Sequence, residues 1–143
     1  MTKYGERSKE DQVDHDWVID RVAQKRYHSD EFTTYKNPDG PEKWTKSAGK
    51  VDGEDQYPDI VGVKNGVVGP IAEIETAEHL DDKEAQQWKR YTQLPTKPNF
   101  CLYAPISEVH KVKGLMKKHS VIVKGLRGYE KIDNDIQIMD FEI

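Results

Sequence analysis

Asn65-Gly66 is the pair of residues around which the rest of the chain has to be arranged. Both residues tolerate left-handed backbone, and the dipeptide between apolar runs is a strong hairpin turn signal. The run before it, residues 57–64, reads Tyr-Pro-Asp-Ile-Val-Gly-Val-Lys; the run after it, 67–76, reads Val-Val-Gly-Pro-Ile-Ala-Glu-Ile-Glu-Thr. Both have strand composition. Helical periodicity flanks them. Ser8 with Glu10 and Asp11 marks a helix start, and Val13, Trp17, Val18, Val22 and Ala23 carry a helix over about 9–27. Leu80, Ala85, Trp88 and Tyr91 place a second helix over 78–94, ended by Pro95 and Pro98. Ser107-Glu108 opens a third, with Val109, Val112, Leu115 and Met116 on one side. Further strands are expected at 32–35, 100–104, 121–123 and 135–143, the last with a phase slip near Ile138-Met139. Residues 1–8 are polar and expected to fray. Residues 38–56 read as a long loop anchored by Trp44 and ending in part of a strand. The order is α-β-β-β-α-β-α-β-β, which predicts an α/β (α+β) fold: one domain over 1–143, a mixed sheet with helices packed on it.

Composition narrows the function. The chain has 143 residues and a single cysteine, Cys101, which rules out an internal disulfide and a cysteine-based zinc cluster. No apolar stretch approaches the ~20 residues of a membrane span, and no segment resembles a signal peptide. A cytoplasmic protein without membrane attachment is expected. Lys and Arg number 22 against 26 Asp and Glu, a net charge of −4, so any nucleic-acid site must be a local patch. Such a patch exists between 111 and 131: Lys111, Lys113, Lys117, Lys118, Lys124, Arg127 and Lys131 face one acid, Glu130. A solvated helix and loop would look the same.

The chemistry concentrates at the end of the hairpin. Residues two apart on a strand share a face, so Glu73 and Glu75 point the same way. Asp59 joins them only in the right register. A plain two-residue turn would put Pro58 opposite Glu73 and turn Asp59 away. A three-residue loop over 64–66, with Gly66 left-handed, puts Asp59 opposite Ile71 and diagonal to Glu73. That register leaves the other face free of polar side chains, and a displacement at Gly69-Pro70 would reach the same parity. Three converging carboxylates need exposure, protons or a cation. With a backbone carbonyl they offer hard oxygen ligands suited to Mg²⁺ or Mn²⁺. The alternative is an ordinary acidic strand edge.

Pro58-Asp59, a spacer over the hairpin, then Glu73-Ile74-Glu75 resembles the signature of the PD-(D/E)XK nuclease superfamily. Gln87-Trp88-Lys89-Arg90-Tyr91 on the following helix matches the Gln-x-x-x-Tyr of its RecB-like members. The resemblance spans about 9–105. It implies an αβββαβ restriction-endonuclease-like core, with 106–143 as an α-β-β extension. It also implies an Mg²⁺- or Mn²⁺-dependent endonuclease or nickase acting on DNA. Asp59, Glu73 and the Ile74 carbonyl would hold the metal, and Gln87 would point toward the carboxylates. Tyr91 would pack or contact phosphate. Glu75 stands where the superfamily usually has lysine, which implies a base or a second-metal ligand. Members often add a residue from the first helix, and Asp11, Asp14 and His15 all qualify. Cutting both strands would call for a homodimer.

Two other readings compete. One is a catalytically silent nucleic-acid-binding or assembly module on the same scaffold. The other is a two-carboxylate hydrolase, for example on sugars, but Glu73 and Glu75 share one strand and would crowd one side of the bond. No Gly-rich phosphate loop, Ser-His-Asp arrangement or His-Glu-x-x-His occurs.

Overall fold

Ser8 caps helix α1 (Lys9–Arg26), its hydroxyl accepting from the Asp11 amide, while Glu10 and Asp11 meet the positive end of the helix dipole. The computed structural model describes residues 8–143, so of the fraying expected at 1–8 all but Ser8, which is ordered as this cap, lies outside the described residues. The strands that follow are β1 (Thr33–Lys36), β2 (Lys50–Val51), β3 (Glu54–Asp55), β4 (Ile60–Lys64) and β5 (Val67–Ile74). Helix α2 (Asp82–Tyr91), β6 (Asn99–Pro105), α3 (Val109–His119), β7 (Gly125–Ile132) and β8 (Asp135–Phe141) complete the order. Six strands form one mixed sheet, β1-β4-β5-β6-β7-β8. β5, β6 and β7 run parallel, and the other neighbours pair antiparallel. With β2 and β3 set aside, this is the expected α-β-β-β-α-β-α-β-β.

Helices cover both faces, as buried parallel strands require. On one face α1 packs Val18, Ile19 and Val22 against Ile60, Ala72, Ile74 and Tyr103. On the other, α2 and α3 set Ala85, Trp88, Tyr91, Val112 and Met116 on Val61, Ile71, Leu102 and Leu126. No described helix is long and apolar enough to cross a membrane.

The hairpin differs in detail from the expected register. The turn at Asn65-Gly66 is the tight two-residue form, with positive φ at both residues and Lys64 paired to Val67. The ladder slips further along. Gly62 on β4 faces both Gly69 and Pro70 on β5, and beyond them Val61 pairs with Ile71 and Ile60 with Ala72. Proline has no amide to give the ladder, and a Cβ at Gly62 would lie 2.8 Å from the Pro70 ring and from Phe32. Asp59 therefore comes directly opposite Glu73, not diagonal to it, with the parity unchanged.

Three other boundaries moved. Residues 121–123 are not a strand: Ser120 ends α3 in the left-handed conformation, and Val121 and Val123 bury their side chains without joining a ladder. The strand is β7, whose two glycines and three charged positions hide its period. A Cβ at Gly128 would come 2.6 Å from the Phe141 ring. α2 starts later than expected because the Asp81 carboxylate caps the Glu84 amide at 2.9 Å. The 38–56 segment contains the β2–β3 ribbon, and Trp44 anchors it by stacking on Tyr57 at 4.6 Å.

Candidate metal and active site

The β4–β5 ladder stops at Ile60–Ala72, which leaves the β5 backbone beyond it open on the β4 side. Asp59 fills that edge. Its Oδ2 accepts from the Ile74 amide at 2.8 Å. One turn into the buried stripe of α1, His15 brings Nε2 to 3.1 Å from the same Asp59 oxygen and 2.8 Å from the Ile74 carbonyl oxygen. His15 Nδ1 faces Asp39 Oδ2 at 3.1 Å and Asp16 Oδ1 at 3.7 Å. Burial opposes a charge on His15, but Asp59, Asp16 and Asp39 together outweigh it and hold the imidazole well above its usual pKa. The charged ring is thereby favoured, with Nε2 in hydrogen-bond contact with Asp59 and the Ile74 carbonyl and Nδ1 in ion-pair contact with Asp39. Of the three helix-one residues that qualified in the sequence, His15 is the one that meets Asp59. Asp14 pairs with Lys131, and Asp11 accepts from the Thr76 hydroxyl at 2.9 Å.

Glu73 joins this group through the backbone, its Oε1 accepting from the Asp59 amide at 3.0 Å. Its other oxygen lies 3.5 Å from the Tyr91 hydroxyl. Glu75 Oε2 accepts from Trp88 Nε1 at 2.9 Å. Glu84, from the first turn of α2, brings a carboxylate oxygen within 4.8 Å of those of Glu73 and Glu75. Tyr91 registers the whole gathering: burial first, then the charges of Glu73, Asp59, Glu84 and Glu75, push its hydroxyl well above the usual range. It is a neutral donor at any working pH. Its ring packs edge-on against Phe100, the core role that the sequence left open beside a phosphate contact.

The structure sets Glu73 against the Asp59 amide and groups the Glu73 and Glu75 carboxylates with that of Glu84, while the Asp59 carboxylate goes to His15 and the Ile74 amide; it turns Gln87 elsewhere. Gln87 is buried but donates to Gln56 at 3.3 Å and makes no hydrogen bond to the three acids. The basic residues divide. Lys111, Lys117 and Lys124 are exposed and Lys113 is half-buried. Lys118 pairs with Asp82 across to α2. Arg127 lies on the α1 face of the sheet, beside Tyr103 and paired with Asp140 at 3.0 Å, so it does not join the lysines of α3. Beside the site, an open groove of about 680 Å³ runs along the carboxyl ends of β5 and β6, lined by Asp11, Thr76, Glu78, Ile106, Tyr129 and Lys131.

The chemistry of the donors fits a divalent cation. His15 Nε2, Asp59 Oδ2 and the Ile74 carbonyl supply one nitrogen and two oxygens. Their separations from Nε2 are those of neighbouring ligands on an octahedral ion, roughly 3 Å for bonds of about 2.1 Å. Asp39 and Glu84 were missed in the sequence. Asp39 sits in Asn-Pro-Asp-Gly, which reads as a turn, and Glu84 looks like an ordinary first-turn acid. Neither carries a local signal. Comparison of the chain with protein-family models, with curated proteins and with solved structures gave no match.

Proposed function

We propose that this chain is an Mg²⁺- or Mn²⁺-dependent nuclease-like protein of the PD-(D/E)XK type, cutting DNA as an endonuclease or nickase. One observation carries the reading: His15 Nε2, Asp59 Oδ2 and the Ile74 carbonyl converge in the open edge of the hairpin, and Glu73 holds the Asp59 amide. A cation held there would polarise the scissile phosphate and lower the pKa of an attacking water. His15 must give up its Nε2 proton to serve as a ligand. Nitrogen in the ligand set favours Mn²⁺ over Mg²⁺. Glu73 fixes Asp59 and stands next in line as a ligand. Glu75, steadied by Trp88, is the acceptor for a proton or the ligand of a second cation. The exposed lysines of α3 set affinity by neutralising phosphates, so binding weakens as salt rises.

The test is supercoiled plasmid incubated with Mn²⁺, with Mg²⁺ and with chelator. Nicking or linearisation should need a divalent cation and disappear in Asp59→Asn, Glu73→Gln and His15→Gln. A second reading, the silent binding or assembly module, draws on burial: His15, Asp59, Glu73 and Glu75 are each at most 2% exposed, which shuts out a phosphodiester in this conformation. Salt-sensitive DNA binding that survives Asp59→Asn, with no cutting under any divalent metal, would favour it.

A further inference from the structure

We infer that Asp39 is a positioning residue, holding the His15 imidazole so that Nε2 faces Asp59 and the Ile74 carbonyl; this rests on the metal site proposed above. A neutral imidazole can offer a lone pair from Nε2 only if its proton sits on Nδ1, and that proton needs an acceptor. Asp39 Oδ2, in ion-pair contact 3.1 Å from Nδ1, is the carboxylate oxygen in reach of that proton, close to it but not aligned as a hydrogen bond before the metal binds. Rotating the ring by half a turn would put carbon atoms against Asp39 and against the Ile74 carbonyl, so the Asp39 contact also selects the ring orientation. Both partners are buried, His15 at 1% and Asp39 at 2% exposure, so neither can turn to water instead.

Asp39 is itself held in place. Its amide donates to Asp16 Oδ1 at 3.0 Å, on the helix that carries His15. Two residues earlier Asn37, fully buried, uses every hydrogen-bonding position of its side chain. Its amide nitrogen donates to the Lys46 and Pro58 carbonyls, and its oxygen accepts from the Thr45 and Lys46 amides. The Asn37 backbone amide donates to the Asp59 carbonyl at 2.9 Å. Asn37 thus ties the loop bearing Asp39 to the Pro58-Asp59 segment, which sets the metal ligand Asp59 and the residue that aims His15 in one frame.

The experiment is Mn²⁺ binding to the full chain, followed by electron paramagnetic resonance, for wild type, Asp39→Asn, Asp39→Leu and His15→Gln. Losing a partner of this kind costs about 10–100-fold in metal affinity. Asp39→Leu should show that loss, and Asp39→Asn should stay within a few-fold of wild type, because its amide oxygen still accepts from Nδ1. Long-range proton–nitrogen NMR of the Mg²⁺-loaded wild type should find His15 protonated at Nδ1 and bare at Nε2. A downfield, slowly exchanging Nδ1 proton in the same spectrum marks the carboxylate contact without any variant, and a rapidly exchanging one overturns it even if Asp39→Leu fails to fold. Wild-type Mn²⁺ affinity in Asp39→Leu alongside a loss in His15→Gln overturns the inference and leaves the metal site standing; Nε2 protonation in the loaded protein overturns both, since a protonated nitrogen cannot be a ligand. Wild-type affinity in His15→Gln, or no Mn²⁺ binding by the wild type, overturns both.

Discussion

A cationic histidine among buried acids makes stability depend on pH with a definite sign. The folded pKa of His15 is raised above the ordinary ~6.5. The stability it contributes in chelator is therefore fully present below that value and is lost as pH rises through the folded pKa. The slope is at most about 1.4 kcal/mol per pH unit for one proton. Urea titrations in chelator at a series of pH values should show wild type losing its advantage over His15→Gln as pH climbs from 6 upward. A pH-independent gap would contradict the charged imidazole. Trp88 supports the other wing of the site. It is fully buried, and its indole nitrogen serves Glu75. Trp88→Phe leaves a small cavity and takes a donor from a buried carboxylate, so it should cost about 2–4 kcal/mol by chemical denaturation. A cost under 0.5 kcal/mol would mean that the indole–carboxylate bond adds nothing. In both cases the residue type was legible in the sequence and the partner was not, because the partners lie 13 to 59 positions away.

At the scale of elements, the bulge in the hairpin decides whether a site exists. Gly62, opposite Gly69-Pro70, shifts the pairing by one residue and so puts Asp59 across from Glu73. Gly62→Val would drive a side chain into Phe32 and the Pro70 ring. The expected cost is about 1–3 kcal/mol, with Mn²⁺ binding weakened beyond what the lost stability explains, since the register at Asp59 moves. Wild-type melting and metal binding in that variant would remove the bulge from the account. The position of the turn, the Ser8 cap and the apolar stripes were readable because each depends on neighbours within four residues; the form of the turn was not, because the register slip sits further along the ladder at Gly62. β7 was not readable. Its Gly128 answers to Phe141 and Ile106, contacts that exist only after the sheet has formed.

For the whole molecule, the proposed metal site would make metal binding and folding one equilibrium. A cation that binds only the folded chain stabilises it by about 2.7 kcal/mol at a hundred times its Kd. For a chain of this length that amounts to a rise of several degrees in Tm. Thermal melts in Mn²⁺ should show this rise, a smaller one in Mg²⁺ at equal concentration, and none in Asp59→Asn. An equal shift in that variant would assign the effect to the surface acids of a chain with net charge −4. Charge also bears on how the proposed polyanionic substrate would approach. The groove beside the site is rimmed by Asp11, Asp14, Glu78 and Glu130, with Lys131 paired to Asp14. The exposed lysines at 111 and 117 belong to α3, which packs on the opposite face of the sheet from α1.

The sequence alone determined the element order apart from the place of β7, the hairpin and where it turns, the Ser8 cap of α1, and the parity that puts Asp59 on the face of Glu73 and Glu75. Each of these follows from backbone geometry and short-range periodicity. Only the tertiary structure decided which helix-one residue meets Asp59, that Asp39 lies against His15, that Glu84 adds a third glutamate, and that Arg127 parts from the α3 lysines. Those are contacts between segments brought together by burying two apolar faces of one sheet. Hydrophobic burial acts without direction, so the polar neighbours it creates leave no pattern along the chain.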